Sequence, residues 1–166
     1  MKLTEILNKT QPIAYVLVGL PGSGKSTWMR SINQAGDFVI VSSDDEIERH
    51  AKDRGLTYSD VFDSYVKTAT SLMNAKFKEA VATNQNIIWD QTNMTSKKRK
   101  GILQQIPRNY KKIAVVFQID EQELERRLAK REQDEGKVIP KHIIYSMAKS
   151  FEMPSTTEGF DQIIKV

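Results

Sequence analysis

Three clusters of residues have types and spacings that could do chemistry. The first is Gly19-Leu20-Pro21-Gly22-Ser23-Gly24-Lys25-Ser26, which matches the pattern G-x-x-x-x-G-K-[ST] and directly follows an apolar run, Ile13–Leu20. Glycines at this spacing let successive backbone N–H groups point inward, and a helix opening at Lys25 adds its positive N-terminal end. Such a cradle binds the phosphates of a nucleoside triphosphate. Its contacts would come from Gly22, Ser23, Gly24, Lys25, Ser26 and Thr27, with Lys25 on the β/γ-phosphates and the Ser26 hydroxyl on Mg²⁺.

The second cluster lies at the ends of two further apolar runs. Phe38–Val41 leads into Ser42-Ser43-Asp44-Asp45, and Asn86–Trp89 leads into Asp90-Gln91-Thr92-Asn93. A group that accepts phosphate needs a carboxylate near its hydroxyl, and Asp44 or Asp45 could supply it. The same acids also suit the first turn of a helix, where negative charge meets the dipole. Being adjacent, the two should diverge, with one facing the crevice. Asp90, an acid after an apolar strand, could coordinate Mg²⁺ through water or orient the acceptor, and Asn93 is a further candidate for the acceptor. The third cluster is on the pattern Leu124-Glu125-Arg126-Arg127-Leu128-Ala129-Lys130-Arg131, where Arg127 and Arg131 share one helix face and could clamp a transferring phosphoryl group. The alternative for these arginines is surface pairing with Glu123.

These residues need an architecture that brings strand ends together. Short β-branched runs at Ile13–Leu20, Phe38–Ser43, Asn86–Asp90, Ile113–Asp120 and, more weakly, Gln162–Val166 alternate with helical patterns at roughly 25–34, 44–54, 58–83, 96–106, 121–135 and 140–152. Alternation of this kind predicts an α/β fold, a five-stranded parallel sheet flanked by helices on both faces. In the longest helix, Val61, Phe62, Tyr65, Ala69, Leu72, Met73, Phe77 and Val81 mark the buried face, with Ser59 as a cap. The expectation is a single domain over residues 1–166 with a helical lid at about 121–140, since the polar, glycine-containing stretch after Arg131 suits a mobile element. Trp28 reads as core, and His50 and His142 as surface residues.

Composition narrows the class of protein. Of 166 residues, 25 are Lys or Arg and 21 Asp or Glu, and four of the bases form one run, Lys97-Lys98-Arg99-Lys100. Subtracting that run leaves as many bases as acids, so the basicity is local and suits an anionic partner such as nucleic acid. Four adjacent residues spread around a helix, so each one singly reads as solvated surface. The absence of cysteine excludes disulfides and thiolate chemistry. No apolar stretch reaches the roughly 20 residues of a membrane helix, Met1–Glu5 opens no signal-peptide core, and a cytoplasmic protein without a membrane partner is expected. Nothing calls for an obligatory protein partner. The guanine-reading string N-K-x-D is also missing, Asn8-Lys9-Thr10 being the nearest approach.

The segments Gly19–Trp28, Ser43-Asp44-Asp45, Asp90–Asn93 and Arg127–Ser150 together resemble the polynucleotide kinase family, specifically the kinase half of the phage 5′-kinase/3′-phosphatase. The Asp90–Asn93 segment also resembles kinase-like domains of some nuclear RNA-binding proteins. The resemblance implies a P-loop kinase fold and ATP with Mg²⁺ at Lys25 and Ser26. It further implies Asp44 as general base, and Arg131, with Arg127 behind it, on the transferring phosphate. The acceptor it implies is a hydroxyl on nucleic acid, foremost a polynucleotide 5′-OH. A hydroxymethylated DNA base or a small hydroxylated metabolite is the alternative acceptor, and a non-catalytic ATP- and RNA-binding module the alternative role. The chain departs from the family pattern at two positions, carrying Ile47 and Ser43 where arginines are usual.

Overall fold

The computed structural model describes residues 10–166, so Met1–Glu5 and the Asn8-Lys9 part of the string noted above lie outside the described residues. Five strands, β1 (Ile13–Val18), β2 (Phe38–Val41), β3 (Asn86–Trp89), β4 (Lys111–Val116) and β5 (Gln162–Lys165), form one sheet in the order β2-β3-β1-β4-β5. Every neighbouring pair is parallel. The helices are α1 (Lys25–Ile32), α2 (Ser43–Asp53), α3 (Tyr58–Ala82), α4 (Ser96–Gln105), α5 (Glu121–Glu135) and α6 (Lys141–Ser150). This is the α/β architecture expected from the alternation.

Both faces of the sheet are covered, which is why its central strands carry unbroken apolar runs. On one face, Ala14, Val16, Ile87, Trp89 and Ala114 pack with Met73, Phe77 and Ala80 of α3 and Ile102 and Leu103 of α4. On the other, Leu17, Ile88, Ile113 and Val115 meet Met29 of α1 and Phe117, with Trp28 packed edge-on against Tyr15 and Phe117. A smaller cluster of Ile47, Ala51, Val61 and Ala69 fastens α2 to α3.

Four local expectations are corrected. Phe62 and Leu72 of α3 are exposed rather than buried, because the helix outruns the sheet and only one stripe reaches it. Its cap is Thr57, whose hydroxyl accepts from the Asp60 N–H while Asp60 accepts from the Thr57 N–H; Ser59 caps nothing. Asp44 and Asp45 sit together in the first turn of α2 behind Ser42, whose side chain accepts from the Asp45 N–H. The fourth concerns the basic run. Lys97, Lys98 and Lys100 are exposed, but Arg99 is completely buried.

Arg99 fixes the loop between β3 and α4. Its Nη1 donates to the carbonyls of Asn93 (2.9 Å) and Met94 (3.0 Å), and its Nε and Nη2 donate to Glu158 Oε1 at 3.2 and 3.0 Å. Glu158 is itself largely buried and also accepts from the Ser155 N–H. A guanidinium with five donors in a plane satisfies carbonyls and a carboxylate at once, which an ammonium cannot. Removing it would leave Glu158 without its counter-charge and the Asn93 carbonyl without a donor, while Met94 would keep only the Glu152 N–H. Arg99→Ala should therefore cost about 3–5 kcal/mol of stability, the usual loss when one partner of a buried pair is deleted. Urea unfolding followed by circular dichroism measures this, and an effect below about 1 kcal/mol would mark Arg99 as a surface residue after all.

Candidate active site

All five strands point the same way, so the loops after β1, β2 and β3 open at one edge of the sheet. They surround a cleft of about 830 Å³ lined by Gly22, Gly24, Lys25, Ser26, Thr27, Asp44, Asp45, Asp90, Arg127, Arg131 and Lys137, among others. Residues drawn from five separate sequence segments thus converge there.

The glycine-rich loop after β1 has the form its pattern requires. Gly22 has φ +80°, and a Cβ there would sit 3.3 Å from both Leu124 and Leu128. The apolar face of α5 therefore rests on the loop and holds it close. Helix α1 begins at Lys25 with no side-chain cap and no acid in its first turn. Its leading N–H groups have no intrahelical partners, and Gly24, Lys25, Ser26 and Thr27 line the cleft, as an anion site needs. The Ser23 hydroxyl is buried beneath the loop and has no hydrogen-bond partner among the described residues. Lys25 Nζ donates to the carbonyls of Gly19 (2.8 Å) and Leu20 (3.0 Å), folded onto its own loop. Burial lowers its pKa to about 8, against the opposing pull of Asp90 and Asp44. A buried ammonium destabilised in this way is suited to bind polyanionic oxygens. Ser26 and Thr27 are exposed at the helix start.

Asp44 and Asp45 both line the cleft, so the expected divergence of the pair is not found. Their environments differ instead. Asp44 Oδ1 accepts from the Tyr58 hydroxyl (2.7 Å) and Oδ2 from Lys137 Nζ (3.0 Å). Partial burial pushes its carboxyl up, but Lys137 and Tyr58 together hold it below the usual value. Asp45 moves the other way: burial and the neighbouring Glu48 raise its pKa. Its contribution at the helix start is therefore less favourable than the dipole alone would give.

The loop after β3 divides its residues. Asp90, Gln91 and Thr92 face the cleft. Asn93 does not. It is buried in left-handed backbone (φ 49°), and its Nδ2 donates to the Leu17 carbonyl at 2.7 Å. The expected acceptor contact at Asn93 is therefore corrected: its side chain turns inward to pin the loop to β1. The Gly19 N–H, donating to the Thr92 carbonyl at 3.0 Å, adds a second tie between this loop and the phosphate cradle.

Helix α5 supplies the cations. Arg127 donates from Nε to Glu123 (2.8 Å) and from Nη1 to the Gly22 carbonyl (3.4 Å), so pairing and cleft contact coexist. Arg131 lines the cleft and lies 3.6 Å from Glu135. The residue that sequence reasoning missed is Lys137. It follows the α5 cap Gly136, is buried, and bridges Asp44 and Glu48 (3.1 Å) with its Nζ 4.1 Å from the Tyr58 ring centroid. Only its place in the polar stretch after α5 marked it, and nothing there pointed to a partner 93 positions away.

A glycine-rich phosphate loop, a five-stranded parallel sheet in this order and acids at the next two strand ends define the P-loop kinase fold. The chain belongs to the AAA domain family, whose model matches residues 15–154. Among individual proteins, it is 26% identical over 163 residues to heterogeneous nuclear ribonucleoprotein U-like protein 2 of Mus musculus, covering 89% of this chain and 20% of that protein. It is 23% identical over 154 residues to the L-seryl-tRNA(Sec) kinase of Methanococcus maripaludis, covering 88% of this chain and 55% of that one. The chain thus spans about a fifth to a half of the length of these relatives. Of solved structures, the Pnkp1/Rnl/Hen1 RNA repair complex contains a chain 28% identical with a TM-score of 0.70, over 93% of this chain and 49% of that one. Shikimate kinase from Acinetobacter baumannii superposes with a TM-score of 0.56 at 17% identity, covering 97% of this chain and 87% of its own.

Asp90 has no side-chain partner among the described residues, and burial raises its pKa to about 6, Lys25 opposing and Asp45 and Asp44 reinforcing the shift. The folded chain therefore holds this proton more tightly than the unfolded one. Its stabilising effect is complete below about pH 4 and disappears as pH rises through 6, where the ionised form becomes costly. Asp90→Asn should accordingly stabilise the ligand-free protein by about 1–3 kcal/mol at pH 7.5, with the gain shrinking toward pH 4. Denaturant midpoints at the two pH values check this, and equal differences at both would show that Asp90 is ordinarily ionised.

Proposed function

We propose that this protein is an ATP-dependent phosphotransferase that phosphorylates a hydroxyl on nucleic acid, foremost a polynucleotide 5′-OH. The observation that carries the reading is the cleft itself, with Lys25 of the phosphate loop facing Asp44 at the β2 end under the arginines of α5. The uncapped N-terminus of α1 and the desolvated Lys25 fit a triphosphate. The Ser26 hydroxyl, exposed where that helix opens, would hold Mg²⁺ together with phosphate oxygens, supplying charge neutralisation to the transferring group.

In this reading Asp44 receives the proton of the attacking hydroxyl. A carboxylate held below its ordinary pKa is a weak base, and a loose phosphoryl transition state needs the proton only late. Position then matters more than basicity. Arg131 meets the charge developing on the transferred phosphoryl, while Arg127, tied to the Gly22 carbonyl, tracks the nucleotide side. Asp90 faces the acceptor side and orients it. The helix α5 with its following segment serves as the lid, its Leu124 and Leu128 already seated on Gly22.

A nucleic-acid acceptor is supported by the RNA repair complex and the tRNA kinase among the similar proteins. The exposed Lys97, Lys98 and Lys100 support it too, since they follow the β3 loop. One observation favours a small hydroxylated metabolite instead. Ile47, where the resemblance would put an arginine, is entirely buried between α2 and α3 and offers no cation to a substrate phosphate.

Labelled ATP offered with 5′-OH oligonucleotides, hydroxymethylated DNA and hydroxylated metabolites separates the acceptors. Transfer to oligonucleotide ends should dominate, and Lys25→Ala should abolish it without unfolding the chain. Asp44→Asn should cut kcat by about 10²–10⁴, while Asp45→Asn should leave most activity. A larger catalytic loss at Asp45 would move the base by one residue.

Salt dependence gives an independent measure of the partner. Reversing Lys97, Lys98 and Lys100 to glutamate should raise the KM for oligonucleotide and leave that for ATP unchanged. The acceptor KM should also climb with salt as phosphate contacts release counterions. Equal effects on both substrates, or transfer only to metabolites, would overturn the nucleic-acid reading.

A further inference from the structure

We infer that Lys137 is a positioning residue that holds the Asp44 carboxylate in its reactive orientation and couples that orientation to the seating of the lid. The inference rests on the reading of Asp44 as base.

The geometry is specific. Lys137 is 6% exposed although Glu135 before it and Val138 after it are exposed. Burying a lysine costs free energy unless its charge is matched, and here two carboxylates and an aromatic face match it. Its Nζ lies 3.0 Å from Asp44 Oδ2 and 3.1 Å from Glu48 Oε1, over the Tyr58 ring. Tyr58 donates to the other Asp44 oxygen, so the carboxylate is gripped from both sides. Each carboxylate oxygen has two acceptor positions, and the Asp44 side chain is half exposed. Room remains for a substrate hydroxyl, and the grip orients the group without blocking it.

The segment carrying Lys137 is latched to a different element from the one it leaves. Ser59 of α3 donates from Oγ to the Gly136 carbonyl (3.1 Å) and accepts from the Val138 N–H (3.3 Å). Gly136 has φ +63°, and a Cβ there would approach Thr57 to 2.7 Å. The α5 end therefore docks flush against the start of α3, which also supplies Tyr58. Arg131 lies less than two turns before Gly136 on the same helix. If α5 lifts, Arg131 leaves the phosphoryl site and Lys137 leaves Asp44 together. Base and phosphate clamp are thus assembled by one movement.

Other charged and titratable groups also face Asp44 and enter any test by pH: Tyr58 of α3, Arg131 of α5, Lys25 of α1, Asp90 after β3, and Asp45 and Glu48 on its own helix. All of them remain when Lys137 alone is changed. Lys137→Met should lower kcat about 10- to 100-fold, the scale of a misplaced reacting group, with the KM for ATP unchanged. The acid limb of the kcat–pH profile should move toward higher pH, because Asp44 loses the ammonium that favours its charge. Lys137→Arg should recover most of both effects. Adding Lys137→Met to Asp44→Asn should cause little further loss, since the lysine acts through that carboxylate.

The latch provides a variant that leaves the buried cation intact. Ser59→Ala should shift the acid limb in the same direction by a smaller amount, and it stands as the test if Lys137→Met does not fold. An unmoved acid limb in both variants, or additive losses in the double mutant, would overturn the role of Lys137. Full turnover by Asp44→Asn would instead overturn the reading of the base, so the two failures are told apart.

Discussion

The site depends on the central position of β1 in an all-parallel sheet. Strands β3 and β4 flank β1, so the turn that leaves it is hemmed by the loops leaving both neighbours. The Leu17 carbonyl receives Asn93, and the Gly19 N–H reaches Thr92. The phosphate loop is therefore braced from the β3 side before any ligand arrives. Arg99 extends the brace outward by holding the Asn93 and Met94 carbonyls and anchoring them on Glu158, close to the final strand. A cation taken from a run of four bases becomes the fixed point behind the loop that carries Asp90.

Within the cleft the charges are unevenly matched, and the mismatch is informative. Lys137 and Asp44 are paired through direct bonds, as are Arg127 and Glu123. Among the described residues Lys25 and Asp90 have no such pairing with opposite charge; one is driven toward deprotonation and the other toward protonation by the same desolvation. A stable fold gains nothing from leaving both in that condition. Active sites do so where a charged ligand will complete the balance, because preorganised groups then need no rearrangement when charge develops. A phosphate beside Lys25 would restore its proton affinity. Thus the unstable groups lie beside the phosphate loop and the stable pairs frame it, a division between what waits for ligand and what positions it.

How much of this was legible in the sequence follows from how local each signal is. The phosphate loop was readable because its glycines and lysine act on their own backbone, within eight consecutive residues. The strands were readable because burial on two faces imposes apolar runs, whereas their order, β2-β3-β1-β4-β5, is set by how the crossovers pack and is not written in the alternation. Arg99 was not readable: a basic run looks solvated, and that Arg99 rather than one of its neighbours turns toward Glu158 is set by packing. Asn93 misled because polar residues at a strand end suit either ligand or turn, and left-handed backbone, which asparagine tolerates, decided for the turn. Lys137 was invisible for a different reason. Its meaning lies in a carboxylate 93 residues earlier, and no periodicity records such a pairing.

The burial of Ile47 shows how acceptor choice could change while the chemistry stays. On α2, position 47 is one turn beyond Asp44 and faces α3, where Ile47 packs with Val61 and Ala69. An arginine there would have to leave that contact and extend around the helix to reach a substrate. The chain instead fills the position with a hydrophobe and brings a cation to the same carboxylate from the far end of α5. Packing between α2 and α3 is strengthened by that exchange, since a fully buried Ile contributes about 1.5–3 kcal/mol over an exposed one. What is absent is a fixed positive charge at position 47, and the cation beside Asp44 comes instead from the segment that follows α5. In the proposed reading the cation beside Asp44 therefore arrives only in the arrangement that also places Arg131, because both are carried by α5 and the residue that follows its cap.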